Sequence, residues 1–396
     1  MRGHIVKRYG SSYTIVLNLG IDPATGKRKQ QWVSVKGTKK DAEKKLAELL
    51  HQLDTGTFIN PGKTTLAEFL ERWLKDYAWP NLAPRTAEGY ELIIRRHLIP
   101  SLGNIAMTQL KSEHIQRYYS DKLAKGRCDG KGALGAQSVR HHHMVLHKAL
   151  DCAMQWGLLT RNAADGVAAP HAQHPEMQTW NEDDIRHFLK ATKDSPYFPI
   201  FYLALFTGMR RSELLALRWC DVDLLFSQLY VSRSLHHLRN GSSVFRQPKT
   251  DKGRRTVALP PSVVLILEEH RQKQALDRAV LGKSLTEDDL IFSDPEGKPL
   301  LPNTVTHAWI KLVRRIGLKD IRLHDARHSH ASLMLKQGIH PKVVQERLGH
   351  ASIQVTLDLY SHVAPGLQKA AAVRFDEWLA PQGTVPVREE AVENLR

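Results

Sequence analysis

The chain has 396 residues, in which 57 Lys and Arg outnumber 41 Asp and Glu, so its formal net charge is +16 and its pI is near 9.7. This excess favours an acidic polymer as partner, with nucleic acid ahead of a membrane surface. No apolar run approaches the roughly 18 residues that span a bilayer, no apolar secretion segment follows the basic amino terminus, and the three cysteines form no CxxC pair. We therefore expect a cytoplasmic protein with no membrane partner and with three domains.

The first predicted domain, residues 1–60, is a small basic module. Residues 12–19 and 30–35 alternate as strands do, and the turn-rich stretch 22–26 between them predicts a hairpin. Thr38 and Asp41 have the spacing of a helix capping box, and a stripe of apolar residues follows at helical intervals. The sequence therefore predicts a small sheet backed by one helix.

The second predicted domain, residues 64–165, is a bundle of four or five helices. Thr65 and Glu68 open its first helix after a linker at 60–63, and further helices are predicted near 112–124 and 138–156. His141, His142 and His143 lie in the last of these. Consecutive helical residues point about 100° apart and cannot all chelate one ion, so we predict no metal site.

The third predicted domain, residues 176–380, is mainly helical. It contains a strand-rich interval, 228–259, with the hairpin signal Asn240-Gly241. An apolar stripe at 367–379 predicts a terminal helix that packs either on its own domain or on a neighbouring subunit, and residues 381–396 read as a disordered tail. The fold class is thus α+β and multidomain.

Four short clusters of this third domain carry its chemistry. They are, in chain order, Thr207-Gly208-Met209-Arg210-Arg211-Ser212-Glu213, Pro248-Lys249-Thr250, His324-Asp325-Ala326-Arg327-His328, and Leu348-Gly349-His350 followed by Tyr360. In content and order they resemble the signature of the tyrosine recombinases, the phage integrases in particular, and the resemblance covers nearly the whole chain. One departure is Ala326, where the family usually has leucine, and this position concerns packing behind the site.

The resemblance implies a catalytic set of six residues, namely Arg210, Lys249, His324, Arg327, His350 and Tyr360. The two arginines would clamp a phosphate, because their planar, permanently charged forks match its oxygens. Tyr360 would be the nucleophile, with His324 as its base and His350 as a further hydrogen-bonding or proton-transferring group. Lys249 would protonate the leaving 5′ oxygen, and Lys252 is the alternative lysine.

Three nearby charged residues are assigned roles outside this catalytic set. Glu213 is predicted to lie one helical turn after Arg210 and to orient its guanidinium. The alternative is an ordinary surface or capping role for this carboxylate. Arg254 and Arg255 are predicted to contact DNA phosphates or solvent.

The implied function is site-specific recombination that integrates, and also excises, a mobile element through a 3′-phosphotyrosyl intermediate and without a cofactor. The implied partners are double-stranded DNA at core and arm sites, three further copies of the chain in a tetramer on DNA, and a host bending protein or an excision factor. A DNA-binding regulator that has lost turnover and a topoisomerase are the alternatives. The first 60 residues are similar to arm-type DNA-binding modules, which favours the integrase over a topoisomerase. Alternatively, this module is a basic accessory domain that recognises no specific DNA site.

Overall fold

A computed structural model describes residues 3–21, 28–54, 64–172, 177–248 and 251–357, together with six residues between 372 and 379. The chain divides into two compact units, residues 1–174 and 175–396. The turn predicted at 22–26, most of the helix predicted at 367–379 and the tail predicted at 381–396 lie outside the described residues. No helix in the described ranges is long and apolar enough to cross a membrane.

The first unit begins with a three-stranded antiparallel sheet. Its strands, in the order in which they pair, are β1 (Gly3–Lys7), β2 (Ser12–Ile21) and β3 (Arg28–Lys36). Helix α1 (Lys39–Asp54) follows, and the predicted capping box precedes it: the Thr38 backbone N–H donates to Asp41 Oδ2 at 2.8 Å, and the Asp41 N–H donates to Thr38 Oγ1 at 3.3 Å. The predicted sheet and its backing helix are therefore confirmed.

Successive side chains of a strand point to opposite faces of the sheet, and one of these faces packs against α1. Ile15 and Leu17 point to the same side of β2 and form a small core with Leu49 of the helix. Trp32 lies on the other face, where it is exposed, and the Arg8 guanidinium lies 5.9 Å from the centre of its ring. One face of the sheet thus packs against α1, and the other exposes the Trp32 ring while Val16 on that face is buried.

The described residues from 64 to 155 are mainly helical. Their α-helices are α2 (Leu66–Trp73), α3 (Trp79–Asn81), α4 (Pro84–Ile93), α5 (Ile99–Leu102), α6 (Ser112–Lys125) and α7 (Ala136–Gln155). The helices predicted near 112–124 and 138–156 are confirmed, as is the capping box in which the Thr65 N–H donates to Glu68 Oε2 at 2.8 Å. Their buried apolar faces form one core around Trp73, Tyr119 and Leu146.

Two π-helical turns interrupt the first half of this bundle. Residues Leu74–Ala78 lead into α3 and residues Ile94–Leu98 lead into α5, and each of these two short helices carries a proline in its first turn. Proline has no N–H and its ring clashes with the carbonyl four residues earlier, so a widened turn lets the helix pass it.

The second unit is mainly helical. The helices of its described residues up to Gly349 are α8 (Glu182–Thr192), α9 (Phe198–Thr207), α10 (Arg211–Leu214), α11 (Pro261–Val280), α12 (Pro302–Ile316), α13 (Asp325–Lys336) and α14 (Pro341–Leu348). Its strands are β4 (Val222–Asp223), β5 (Gln228–Val231), β6 (Ser234–His237), β7 (Ser243–Arg246) and β8 (Arg255–Ala258). These strands pair antiparallel, and Gly241 lies with φ +84° in the predicted hairpin between β6 and β7. The predicted fold class is confirmed.

The main core of the second unit centres on Trp309 of α12. Its ring packs between Trp180, Phe188 and Phe201, with ring centroids 4.7 to 5.2 Å away, and its Nε1 donates to the Ile321 carbonyl at 2.8 Å. Buried aromatic rings remove large apolar areas from water and pair favourably at these distances. This core fixes α9 and the residues just before α13, from which the candidate site is built.

Candidate active site

The turn after α9 carries the first predicted arginine. Gly208 ends the helix with φ +62°, and a Cβ at this position would lie 2.5 Å from Leu348 Cδ2. The left-handed backbone therefore favours glycine, and an added Cβ would also have to displace the buried Leu348 side chain of α14. Arg210 follows, and its backbone N–H donates to Glu213 Oε2 at 3.0 Å, which fixes the main chain at the start of α10.

The side chain of Arg210 lies between a carboxylate and a main-chain carbonyl. Its Nη1 donates to Glu213 Oε1 at 2.7 Å, and its Nη2 donates to the Gly349 carbonyl at 3.1 Å. The predicted orienting contact of Glu213 is confirmed. The Arg210 side chain is 37% exposed, and its bonds to described residues use two of its five N–H donors. Three donors remain for a ligand.

Arg327 lies on α13 and is only 3% exposed. Its Nη1 donates to the Gly208 carbonyl at 2.8 Å, and its Nη2 donates to the Leu348 carbonyl at 2.7 Å. Burial and the nearby charge of Arg210 lower the pKa of Arg327 to about 9, which still leaves the guanidinium protonated at neutral pH. Arg327 thus ties the turn before Arg210 to the end of α14.

Arg255 is a residue of the site that the sequence did not predict. The expectation that it contacts DNA or solvent is wrong, because Arg255 is 8% exposed and its Nη2 donates to Glu213 Oε2 at 2.9 Å. Its Nε also donates to the Arg347 carbonyl at 2.7 Å. A signal was present in the sequence: β8 alternates, and Arg255 and Val257 share its buried face. Arg254 is exposed, and its predicted contact with DNA stays a prediction.

Glu213 is the carboxylate that holds these two arginines, and it is 3% exposed. Burial opposes its ionisation, but the hydrogen bond and charge of Arg255, together with the charge of Arg210, outweigh that effect and hold the pKa of Glu213 below its usual range. The carboxylate is therefore charged at neutral pH. It positions Arg210 from one side while Arg255 neutralises it from the other.

Two histidines meet at the start of α13. The rings of His324 and His328 lie edge to face with centroids 5.2 Å apart. Desolvation, then His328 and Arg327, lower the pKa of His324 to about 4. Part of His324 is exposed to solvent, which screens these charges. The lowered pKa still favours the neutral imidazole. Asp325 does not pair with His324, since it accepts from Arg322 Nε at 3.0 Å.

The turn after α14 holds His350. Gly349 ends the helix with φ +66°, as a left-handed cap should, and a Cβ there would lie 2.8 Å from the Lys252 carbonyl. His350 is buried, and its Nδ1 lies 2.9 Å from Thr356 Oγ1. Burial and the charge of Arg327 lower the pKa of His350 to about 3, so the imidazole is neutral. Its Nε2 is then the nitrogen left for a ligand.

Lys249 lies outside the described residues, so its position stays a prediction. Lys252, the alternative lysine, donates from Nζ to the Ala351 carbonyl at 3.1 Å. This contact places Lys252 beside the turn that holds His350.

Tyr360 also lies outside the described residues. A helical segment precedes it: residues 353–357 are helical, and Ser352 Oγ accepts the Gln354 N–H at 3.1 Å. Along the chain, Tyr360 comes three residues after this described helical segment.

The described part of the site is therefore a fixed set of cations around one turn. Arg210 and Arg327 both donate to main-chain oxygens at the end of α14, at Gly349 and Leu348 respectively. The neutral imidazoles of His324 and His350 belong to the same site, and the Glu213 carboxylate is paired with two arginines. Such a set of preorganised donors is suited to binding an anion on which charge develops.

Comparison with known proteins gives this site a family context. The profile described as the phage integrase family matches residues 178–366, and that of the phage integrase N-terminal SAM-like domain matches residues 65–123. An integrase of Streptomyces ambofaciens is 30% identical over 363 residues, which are 90% of this chain and 91% of that protein.

Solved structures show the same fold. The Tn1549 transposon integrase in complex with transposon right end DNA aligns with a TM-score of 0.65 at 19% identity, over 80% of this chain and 100% of that one. A lambda integrase tetramer bound to a Holliday junction aligns with a TM-score of 0.53 at 20% identity, over 88% of this chain and 95% of that one.

Proposed function

The chain belongs to the phage integrase family and is a tyrosine recombinase that acts as a site-specific integrase; we propose that it cuts and rejoins DNA through a covalent bond between a 3′ phosphate and Tyr360. The observation that carries this proposal is the convergence of Arg210 and Arg327 on the turn at the end of α14, a short distance in sequence before Tyr360. Two fixed guanidinium groups there meet the requirement of a phosphate undergoing substitution.

The two arginines bind the nonbridging oxygens of the reacting phosphate. Attack by the phenol builds a pentavalent transition state with extra negative charge on these oxygens, and donors held in place beforehand stabilise it without reorganisation. Arg210 supplies its free N–H groups from a partly exposed side chain, while Arg327 adds charge from the buried side. Loss of one such donor costs on the order of 10² to 10³ in rate.

Two proton transfers accompany the substitution. Tyr360 needs a base, because a phenol with an ordinary pKa near 10 is a poor nucleophile at neutral pH, and the neutral imidazole of His324 serves. The phenolic oxygen bonds to phosphorus, the bond to the 5′ oxygen breaks, and Lys249 protonates that leaving oxygen. His350 donates from Nε2 to the phosphate, provided that Thr356 donates its hydroxyl proton to Nδ1.

Rejoining is the reverse of cleavage. The phosphotyrosyl bond conserves the energy of the phosphodiester, so the 5′ hydroxyl of a second strand attacks phosphorus and the phenol leaves. No nucleotide is consumed and no redox change occurs, so the reaction needs no cofactor. Exchange of partners at this step integrates the mobile element, and the same step at its boundaries excises it.

The partner of the integrase is double-stranded DNA. In the proposed division of labour, residues 64–165 and 176–380 bind the core site, and residues 1–60 bind arm sites. The exposed ring of Trp32 on the outer face of the first sheet, with the Arg8 guanidinium beside it, supports the arm assignment. Four copies act together, as in the lambda integrase tetramer, in the cytoplasm and with a host bending protein or an excision factor. Phosphate contacts by the basic chain make binding fall steeply with salt.

The test is covalent capture of DNA. The purified chain is incubated with a nicked duplex that carries its own site, obtained by sequencing the junctions of its element, and products are run on a denaturing gel. Wild type should give a protein-linked strand and Tyr360→Phe should give none. No adduct with wild type, or an unchanged adduct with the variant, contradicts the proposal. Strand exchange between two labelled duplexes then separates a recombinase from a topoisomerase.

A further inference from the structure

The last turn of α9 leads directly into the turn that carries Arg210, and two side chains from other helices bind its carbonyl groups. The last four carbonyls of a helix have no partner within the helix itself. His330 Nδ1 of α13 lies 2.9 Å from the Leu205 carbonyl, and Arg347 Nη2 of α14 donates to the Phe206 carbonyl at 3.0 Å. These two side chains therefore cap the helix end that precedes Arg210.

His330 and Arg347 also bond to each other. Arg347 Nε donates to His330 Nε2 at 3.2 Å. Because the Leu205 carbonyl can only accept and Arg347 Nε can only donate, the imidazole must carry one proton, on Nδ1. Burial and the charge of Arg347 lower the pKa of His330 to about 4, which agrees with this neutral form. One neutral imidazole thus links α9 to α14.

Arg347 also joins this cap to the sheet. Its Nη1 donates to the Ala258 carbonyl at 3.1 Å, at the end of β8, and its own main-chain carbonyl accepts from Arg255 Nε at 2.7 Å. Arg255 is in turn the partner of Glu213, which holds Arg210. Each of the three guanidinium nitrogens of Arg347 donates to an atom of the protein. The side chain is therefore built into the fold around the site.

Arg347 comes just before the two carbonyls that receive the catalytic arginines. The Leu348 carbonyl accepts from Arg327, and the Gly349 carbonyl accepts from Arg210. A shift of this end of α14 against the end of α9 would therefore move Arg210 and its acceptor apart. Misplacing a reacting group by about 1 Å can cost about 100-fold in rate, so the contact between the two helix ends matters for catalysis.

We propose that His330 and Arg347 are positioning residues for DNA cleavage, which hold the turn of Arg210 against the end of α14 so that its guanidinium meets the reacting phosphate. This inference rests on the proposed function. Neither residue is among the six of the implied catalytic set. Loss of the Arg347 side chain should slow cleavage about 10-fold to 100-fold at saturating DNA and should leave the affinity for DNA nearly unchanged.

Two nicked duplexes that differ at the reacting phosphate test this proposal in the full chain. In the second duplex a methyl group replaces one nonbridging oxygen, which removes the negative charge, so an arginine that binds this position no longer contributes. The diastereomer on which Arg210→Ala cleaves as fast as wild type reports on Arg210. Arg347→Met should be about 10-fold to 100-fold slower than wild type on the ordinary phosphate and within about 3-fold of it on this diastereomer.

Matched variants separate positioning from folding. Arg347→Lys keeps the charge without the planar fork and should recover only part of the rate. His330→Asn keeps a donor for the Leu205 carbonyl, whereas His330→Leu has a similar shape and no donor, so the Asn variant should cleave at least about 3-fold faster. Arg314→Met removes an arginine whose side chain is 70% exposed and should change neither rate nor affinity. Circular dichroism checks that each variant is folded.

The comparison of the two duplexes decides the outcome. An equal loss for Arg347→Met on both duplexes would mean that the substitution acts through general destabilisation. Weaker DNA binding with an unchanged rate at saturation would make Arg347 a phosphate contact. Either result overturns the proposal, as does an Arg210→Ala deficit that persists on both diastereomers. If wild type itself forms no protein-linked DNA, the proposed function fails first and this inference fails with it.

Discussion

Replacing Glu213 by glutamine should destabilise the second unit strongly. Glu213 is 3% exposed and accepts from Arg210 at 2.7 Å and from Arg255 at 2.9 Å. The variant leaves Arg255, itself buried, without a counter-charge, and breaking a buried ion pair costs about 3 to 5 kcal/mol. For a unit of this size, each kcal/mol lowers the melting temperature by roughly 2 to 4 °C, so a fall of at least about 6 °C is expected.

Thermal unfolding followed by circular dichroism measures this effect. The control is Asp183→Asn, which removes an exposed ion pair with Arg186 and should cost about 0 to 1 kcal/mol. The double variant Glu213→Gln/Arg255→Met should recover stability relative to Glu213→Gln, because no buried charge is then stranded. A difference of about 2 °C in melting temperature corresponds to no more than about 1 kcal/mol for a unit of this size. If Glu213→Gln melts within about 2 °C of Asp183→Asn, the buried network does not stabilise the unit as described.

The same network sets a pH dependence. The pKa of Glu213 is lower in the folded chain than its ordinary value, so the unfolded chain binds its proton more readily. Its contribution is therefore complete above the unfolded pKa of about 4.3 and is lost as pH falls through the folded value. Wild type should lose stability relative to Glu213→Gln only below about pH 4.3. An equal difference between the two proteins at all acid pH values would contradict this linkage.

Three further predictions concern the turn and the proton transfers. Gly349→Ala should cost about 1 to 2 kcal/mol from the left-handed backbone alone, and more from its clash with the Lys252 carbonyl, as chemical denaturation would measure. Thr356→Val should slow DNA cleavage about 10-fold or more by leaving His350 Nδ1 without its partner, and Thr356→Ser should restore the rate; equal rates in both variants would refute this role. Lys249→Ala should slow cleavage by about 10² to 10⁴, and a substrate with a 5′-thiol leaving group, which needs no acid, should restore the cleavage rate. Lys252→Ala should have a smaller effect on that rate. The opposite ranking of the two variants would make Lys252 the acid.

Local patterns predicted most of the secondary structure. Helical spacing located α6 and α7 to within a few residues, and the Asn240-Gly241 pair located the hairpin between β6 and β7. These elements follow from interactions between near neighbours, which sequence patterns record directly. The π-helical turns before α3 and α5 were not predicted, although the prolines that accompany them were visible in the sequence.

The contacts of the site depend on residues far apart in sequence. Arg327 donates to the Gly208 carbonyl, which is 119 residues away, and no local pattern specifies that pairing. Arg255 differs for another reason: a charged residue on a short strand is ordinarily exposed, but the alternation of β8 buries this one beside Glu213. The order of the four clusters indicated which residues belong together, and the fold determines which atoms meet.

Peptide mapping of the covalent adduct tests the central claim most directly. The complex trapped on a nicked site is digested with protease and nuclease, and the nucleotide-bearing peptide is identified by mass spectrometry. The proposed mechanism predicts one modified peptide, with a nucleotide joined through its 3′ phosphate to the oxygen of Tyr360. A phosphate on any other residue, or a link through the 5′ phosphate, would contradict it.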